Sequence, residues 1–388
     1  MKVFNIILWL FVIVLLYFLL VAVRLMSVGF QLALGEEAET LFTFATNPFL
    51  GLIIGILATA MIQSSSTVIS IVIGLVAGGL PVGTAIPIVM GSNLGTTLTN
   101  TVVSLGHVKA SEEFKRAFAA ATVHDCFNLF CLLLLFPLEL VFHPLEKLAT
   151  YLTQFLLNSE QSWNILDFSI LDYIINPIIT QLAIFTNDMS STSRGITFVI
   201  IGISLIFGSI FYLSKTLKSL LVGKAKEILH NAIGRGGAAS ILVGMGITGI
   251  IQSSSATTSL MIPLAGNGVF TLEQIYPFTL GANIGTCFTA LFVATALTGK
   301  EAFPGLEIAL VHLLYNSLGV LIIYSVPLLR NLPLQAARFL AEVAVQYKWA
   351  ALGYIILFFL LFPALGLGIT NQLFLNVIPF LKNCIRFA

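Results

Sequence analysis

The sequence predicts an all-α protein that crosses the membrane several times, because the chain is apolar, poor in charge and internally duplicated. Of its 388 residues, 58% are hydrophobic and only 9% are charged. Soluble domains carry charge at roughly a quarter of their positions. Because lipid offers no water to backbone N–H and C=O groups, spanning segments of this composition are expected to be helical. With 18 basic and 17 acidic residues, the chain has no excess of basic charge that would indicate a nucleic-acid partner.

The duplication is visible in short polar motifs that interrupt apolar runs. Residues 63–66 read Gln-Ser-Ser-Ser, and residues 252–255 repeat them. Two further pairs follow in the same order and at nearly the same spacing, namely Gly91–Thr96 with Gly281–Thr286, and His124 and Asn128 with His312 and Asn316. Matched order and spacing of this kind indicate a repeated structural unit.

Each repeat is predicted to contain a re-entrant helical hairpin and a broken transmembrane helix. The apolar arms beside each Gln-Ser-Ser-Ser motif are too short to cross a bilayer alone, so a hairpin with the motif at its tip fits them better. The glycine-containing motifs after the hairpins predict the breaks. The predicted domains are a first repeat over 1–143 with its hairpin at 48–79, an extracytoplasmic loop over 144–195, a second repeat over 196–327 with its hairpin at 237–267, and a C-terminal span and tail over 328–388.

The two repeats are predicted to be inverted, with the N-terminus in the cytoplasm. One repeat is expected to cross the membrane an odd number of times, so the next copy must begin on the opposite side. Basic residues favour cytoplasmic loops. The predicted loop 107–117 holds Lys109, Lys115 and Arg116, whereas the segment 143–195 is mainly acidic. Both observations agree with this orientation.

The duplicated motifs predict one polar site that the two halves share. Free N–H groups at a helix start bind anions, and hydroxyls serve an anion or a cation. Hydroxyl, amide and backbone oxygens suit a hard cation such as Na⁺. Because the motifs contain no Lys or Arg, an anion held there is expected to enter together with cations. The alternative is that the small polar residues only let helices pack closely.

Asp125 is a second candidate site, because it is an acid inside a predicted span. An ionisable residue within the membrane is a functional candidate by default. Asn128 lies on the next turn of the same helix face, so the two side chains could share a cation. Thr101, after the first predicted broken helix, is a further candidate ligand. The alternative for Asp125 is a structural hydrogen bond to His124 or to the backbone.

These motifs resemble the type II sodium–phosphate cotransporter family. The resemblance rests on both Gln-Ser-Ser-Ser copies, on the run Gly91–Thr101, and on residues 114–118 leading to 121–125. It implies a secondary active transporter, not an enzyme, which takes up inorganic phosphate by symport with Na⁺ and uses no other cofactor. It further implies that the paired motifs hold both ions and that Asp125 makes transport electrogenic through an extra Na⁺. The segment 143–195 lacks the cysteines and glycosylation sites of animal members, which indicates a bacterial inner-membrane form.

The candidate ligands follow from these arguments. The residues expected to bind phosphate are Gln63, Ser64, Ser65, Ser66, Gln252, Ser253, Ser254, Ser255, Asn93 and Asn283. The residues expected to bind Na⁺ are Gln63, Ser66, Thr67, Thr96, Thr101, Asp125, Asn128, Gln252, Ser255, Thr257 and Thr286. Asn93, Thr96, Asn283 and Thr286 are expected to point towards the hairpin tips. The expected partners are phosphate, Na⁺ and the lipid bilayer, and homo-oligomerisation is left open.

Three other functions remain as alternatives. Hydroxyl and N–H donors do not identify their anion, so the protein could carry another oxyanion or a small organic acid. A scaffold that has kept the fold without transport is disfavoured by intact motifs in both halves. An intramembrane serine hydrolase that uses a serine with His124 is the remote alternative, since the chain has no Gly-x-Ser-x-Gly motif.

Overall fold

The computed structural model describes residues 2–34, 47–158, 168–232, 236–361, 363 and 365–366. Within these residues the structure is helical and contains no strand, which confirms the predicted all-α class. Five of the described helices are long and apolar enough to cross a membrane, over Asn5–Ala33, Ser111–Phe142, Ser191–Leu220, Leu272–Ala294 and Gly299–Ser325. The predicted tail after residue 366 lies outside the described residues.

The first half of the chain contains six described α-helices, and the last of them fixes where the following helix begins. Its helices are α1 (Lys2–Leu34), α2 (Pro48–Ile62), α3 (Ser65–Ala77), α4 (Val82–Gly95), α5 (Leu98–Ser104) and α6 (Ser111–Phe142). The segment predicted as a loop contains α7 (Pro144–Asn158) and α8 (Phe168–Phe185). The Glu139 carboxylate of α6 accepts hydrogen bonds from the N–H groups of Leu145 at 2.7 Å and Glu146 at 3.1 Å. A carboxylate at a helix start satisfies otherwise free N–H groups, so Glu139 fixes the turn from α6 into α7.

The second half follows a similar order, and two helices come after it as they do after the first half. Its helices are α9 (Ser191–Ala232), α10 (Gly237–Ile251), α11 (Ser254–Ser259), α12 (Met261–Gly266), α13 (Leu272–Ala294) and α14 (Ala302–Ser325), followed by α15 (Pro327–Gln346) and α16 (Lys348–Ile356). Two ion pairs hold α15 against earlier helices, Lys115 with Glu342 and Arg338 with Glu273.

Helices α1 and α9, the first of each half, pack against each other at glycines. A Cβ atom on Gly29 would lie 2.9 Å from the Gly195 carbonyl oxygen, so only glycine permits this approach. On either side of this glycine in the apolar α1, Arg24 forms an ion pair with Glu301, and Gln31 Nε2 donates to the same carboxylate at 2.8 Å. The pairing allows α1 to continue as a helix through a charged residue, since a charge in an apolar setting needs a partner.

Within each half, the helix before the Gln-Ser-Ser-Ser motif packs closely on a later helix, α2 on α4 and α10 on α13. A Cβ atom on Gly91 would lie 2.1 Å from Leu52 O, and one on Gly281 would lie 1.9 Å from Ile241 O. These glycines lie inside helices and serve the contact between backbones. The expectation that they let the backbone leave helical geometry is therefore wrong.

The predicted break after the hairpin occurs in only one of the two described copies. In the first half, α4 ends at Gly95 and α5 begins at Leu98, whereas α13 runs without interruption through Gly281–Thr286. Thr96 in the broken copy bonds Ser92 O just as Thr286 bonds Ala282 O in the intact copy, so the difference lies at Thr97, whose hydroxyl bonds Leu94 O. Such bonds compete with regular helix formation, and the second copy has Cys, Phe, Ala and Leu within the matching run.

The glycine contacts predict a sharp difference between two neighbouring positions in α10. A Cβ atom on Gly244 would lie 2.1 Å from Phe278 O, whereas one on Gly246 meets nothing within 4 Å. We expect Gly244→Ala to destabilise the protein by about 1–3 kcal/mol through overpacking. Gly246→Ala, the matched control, should leave stability unchanged or raise it by about 0.5–1 kcal/mol. Thermal unfolding in detergent measures both, and equal melting temperatures would contradict the predicted contact between α10 and α13.

Candidate functional site

The two Gln-Ser-Ser-Ser motifs adopt nearly identical backbone conformations. Gln63 has φ 61° and ψ 25°, and Gln252 has φ 61° and ψ 26°. The serines that follow, Ser64 and Ser253, are extended. A left-handed conformation is uncommon for a residue with a side chain and costs free energy. Its presence in both copies shows that each motif ends one helix and starts another at the same sharp turn.

The first serine of each motif caps the helix that follows it. Ser64 Oγ accepts from Thr67 N at 3.2 Å, and Ser253 Oγ accepts from Ala256 N at 3.2 Å. Because a helix has no internal partners for its first N–H groups, the N–H groups of the following serines stay available as donors. Thr257 turns its hydroxyl back to Ser253 O at 2.9 Å.

The glutamine side chains tie each tip to a later helix. The amide nitrogen of Gln63 donates to Ala60 O at 2.5 Å, and its oxygen accepts from Thr99 Oγ1 at 2.6 Å. Gln252 repeats this arrangement, with its oxygen accepting from Thr289 Oγ1 at 2.7 Å. Sequence reasoning missed Thr99 and Thr289, although both lie at the spacing that relates the two motifs.

Both tips line a single cavity of about 640 Å³. The first tip contributes Gln63–Thr67, and the second contributes Gln252–Ala256 and Ser259. The remaining wall is formed by Thr99 and Val103 of α5 and by the stretch of α9 from Phe207 to Lys218. The structure therefore brings together the two motifs that the sequence places far apart, and surrounds them with hydroxyl groups.

Two lysines of α9 also line this cavity, and sequence reasoning missed them. Lys215 and Lys218 are exposed and lie one turn apart on the helix face that carries Phe211. The motifs themselves contain no basic residue, but the cavity does. Coupled cations are therefore not the only positive charge available to an anion in the cavity, because two ammonium groups lie at its wall.

Asn93 and Asn283, both expected to bind phosphate, do not line the cavity. They belong to a buried chain of hydrogen bonds that joins the two halves. Asn283 Oδ1 contacts His124 Nε2 at 2.6 Å, Asn283 Nδ2 donates to Asn128 Oδ1 at 2.7 Å, and Asn128 Nδ2 donates to Asn93 O at 2.9 Å. Buried amides bonded to one another in this way hold helices together. Asn93, Asn128 and Asn283 lie in this inter-helix network.

Thr96 and Thr286 do not line the cavity either. Each donates to the carbonyl one turn earlier in its own helix, Thr96 to Ser92 O and Thr286 to Ala282 O, both at 3.0 Å. Their hydroxyls are thus used within their own helices, since a hydroxyl inside an apolar helix can bond the carbonyl of the preceding turn.

Asp125 is buried next to the asparagine network and does not line the cavity. Its side chain is 1% exposed. Oδ2 accepts from Tyr354 Oη at 2.9 Å and from Thr101 Oγ1 at 3.3 Å, whereas Oδ1 has no partner among the described residues. Asn128 is bonded elsewhere, so the structure brings Asp125 together with Thr101 but not with the Asn128 amide. Sequence reasoning missed Tyr354.

Helix α5 connects these regions with three consecutive side chains. Thr99 bonds the first tip. Asn100 Nδ2 donates to Thr258 Oγ1 of the second half at 2.8 Å. Thr101 contacts Asp125. A movement of α5 would thus act on the cavity, on the second half and on the buried acid together.

Comparison with known proteins assigns the chain to a family. The family model described as Na⁺/Pi-cotransporter matches residues 18–215 and 205–367. The sodium-dependent phosphate transport protein 2B of Pongo abelii is 34% identical over 446 residues, which cover 92% of this chain and 64% of that protein. The corresponding protein of Homo sapiens is 33% identical, with the same coverage. The sodium-dependent phosphate transport protein 2A of Ovis aries is 33% identical, covering 92% of this chain and 66% of that protein.

The chain spans about 64% of the length of the first of these relatives. No solved structure matches it. The family match extends over both polar motifs, both helix pairs that pack at glycines, and the C-terminal helix that carries Tyr354. On this evidence, the chain belongs to the Na⁺/Pi-cotransporter family.

Proposed function

We propose that the protein is a Na⁺-coupled symporter that carries inorganic phosphate into the cell. The observation that carries this proposal is the pair of matched polar tips, which face one cavity from the two halves of the chain. An alternating-access carrier needs such a site where its repeats meet. The relatives named as sodium-dependent phosphate transport proteins support phosphate as the anion and Na⁺ as the coupling ion.

Phosphate is expected to bind between the tips. The N–H groups of Ser65 and Ser254, at the starts of two helices, are donors suited to oxyanion oxygens. The serine hydroxyls of both tips and the ammonium groups of Lys215 and Lys218 add further donors and positive charge. A tetrahedral anion with several acceptor oxygens uses all of these groups, whereas a neutral solute uses few of them.

A coupling Na⁺ is expected to bind at Asp125. Ionised carboxylates within a membrane require a counter-charge, and no ion pair of the described residues includes Asp125. A Na⁺ at this position adds one positive charge to each transport cycle, so we propose that transport is electrogenic. The tip residues Gln63, Ser66, Thr67, Gln252 and Ser255 remain candidate ligands of further Na⁺ ions.

The most direct test is uptake of ³²P-phosphate into proteoliposomes. Uptake is expected with an inward Na⁺ gradient and should fall to the background level when K⁺ replaces Na⁺ on both sides. Equal uptake in K⁺ would exclude Na⁺ coupling. An excess of unlabelled sulfate should leave the signal unchanged, and full competition by sulfate would identify a carrier of a different oxyanion.

The glutamine bonds predict that both tips are needed for transport. Gln63→Ala and Gln252→Ala each remove a side chain that bonds its tip to a threonine. A lost polar partner whose mate stays buried costs about 1–3 kcal/mol, which holds for Thr289; Thr99 is half-buried at the cavity, so Gln63→Ala falls at the low end of this range. The apparent phosphate affinity should therefore fall by about 5- to 150-fold. Gln154→Ala, on the exposed face of α7, is the matched control. Normal phosphate uptake by either tip variant would show that its tip does not contribute to the site.

We further propose that the protein is a multi-pass bacterial inner-membrane protein with a cytoplasmic N-terminus and inverted, re-entrant repeats. The cavity would then open towards the cytoplasm, where Lys215 and Lys218 lie. Both Lys147 and Lys218 are exposed. In a cysteine-free background, Lys147→Cys should react with an impermeant maleimide on intact cells, and Lys218→Cys should react only after the cells are opened. Labelling of both from the same side would refute the inversion.

A further inference from the structure

The C-terminal helix α16 reaches the buried acid of the first half. Tyr354 Oη lies 2.9 Å from Asp125 Oδ2. The helix is held in place by its own core, in which Ala351 packs with Phe114 and Phe118 of α6 and with Ala341 and Ala344 of α15. The ring of Tyr354 packs edge-on against Phe118, with centroids 6.4 Å apart. Its hydroxyl is therefore fixed by packing that does not involve Asp125.

The hydrogen bonds that Asp125 accepts from Tyr354 and Thr101 use the same carboxylate oxygen. Tyr354 and Thr101 both approach Oδ2, the Thr97 side chain also interacts with the carboxylate, and Oδ1 is buried with no hydrogen-bond partner among the described residues. An unpaired carboxylate oxygen in an apolar interior is costly and requires a partner. The arrangement orients the carboxylate so that one oxygen is occupied and the other is free for a cation.

The duplication supports a specific role for the C-terminal helix. The second copy has Leu313 at the position equivalent to Asp125. Tyr354 lies beyond both copies of the duplicated motifs, the last of which ends at Asn316. An acid present in only one half is thus matched by a donor from a helix that lies beyond the duplicated motifs.

We propose that Tyr354 is a positioning residue of the Asp125 cation site, and that α16 thereby completes the site for the coupling ion. The inference rests on the proposed Na⁺ coupling. The Tyr354 hydroxyl donates a hydrogen bond to Oδ2 of Asp125 and thereby orients Oδ1 towards Na⁺. Removing the hydroxyl while keeping the ring should weaken Na⁺ binding and leave phosphate binding at the tips intact.

The test compares Tyr354→Phe with Tyr276→Phe in proteoliposomes. Tyr276 is also buried, but its hydroxyl has no hydrogen-bond partner among the described residues, so its loss is the matched control. In Tyr354→Phe, the Na⁺ concentration for half-maximal phosphate uptake is expected to rise about tenfold, which corresponds to about 1.4 kcal/mol. The phosphate KM at saturating Na⁺ should stay unchanged. Tyr276→Phe should match the wild type in both.

A double-mutant cycle separates positioning from a merely structural role. In an Asp125→Asn background, Tyr354→Phe should shift the Na⁺ dependence no further, because the group through which it acts is gone. The proposal would be overturned if Tyr354→Phe raised the half-maximal Na⁺ concentration in the Asp125→Asn background as much as it does in the wild type. An unchanged Na⁺ dependence of the single Tyr354→Phe variant would also overturn it, and a lower half-maximal Na⁺ concentration would show that the hydroxyl competes with the ion. Thr101→Val, which removes the other donor to Oδ2, should act in the same direction as Tyr354→Phe.

Thermal unfolding in detergent distinguishes failure of this inference from failure of the proposed function. Addition of Na⁺ should raise the Tm of the wild type relative to K⁺, and Tyr354→Phe should reduce this increment. If the wild type carries no phosphate but its Tm rises with Na⁺, the proposed transport fails. The role of Tyr354 is then still tested by comparing the Na⁺-dependent rise in Tm between the wild type and Tyr354→Phe. Absence of any Na⁺-dependent stabilisation of the wild type would overturn the Asp125 site itself.

Discussion

Inside an apolar environment, a helix that breaks must find partners for every polar group it releases, and the glutamine at each tip meets this requirement. Gln63 and Gln252 adopt the left-handed turn, return their amide N–H groups to the preceding helix, and accept a hydrogen bond from a threonine of a later helix. These bonds leave the serine hydroxyls and helix-start N–H groups of the same motif facing the cavity. These hydrogen bonds offset the free-energy cost of the break, and polar groups of the motif remain at the cavity surface.

Close backbone contact at glycines sets the position of each tip. Gly55 and Gly244, on the helices that lead to the tips, approach the carbonyl oxygens of Ile88 and Phe278 so closely that no side chain fits. Small residues permit this kind of helix packing where hydrophobic burial alone cannot select a partner. Since the same contacts occur in both halves, the two tips reach the shared cavity by the same construction.

The polar groups of the protein separate into an open region and a buried region, joined by α5. The cavity holds the tips and the lysines, whereas Asp125 and the chain from His124 to Asn93 are buried away from the cavity lining. Three consecutive residues, Thr99, Asn100 and Thr101, contact the first tip, the second half and Asp125 in turn. This separation suits the proposed symport, in which the anion and one coupling ion would bind in different places, and α5 is in contact with both regions.

The sequence by itself determined the all-α membrane class, the duplication and the two tip motifs, because apolar composition and repeated spacing are properties of the chain alone. It also identified Asp125, since an acid within an apolar run is visible without coordinates. Only the tertiary structure decided which side chains share a space. The duplicated glycine-containing motifs hold Asn93, Asn283, Thr96 and Thr286, but the hydrogen-bonding groups of these residues are used within and between helices. Helix α13 continues where a break was expected. Lys215, Thr99 and Tyr354 join the polar regions from distant parts of the chain. Such contacts depend on how helices pack against each other, and local sequence patterns do not predict that packing.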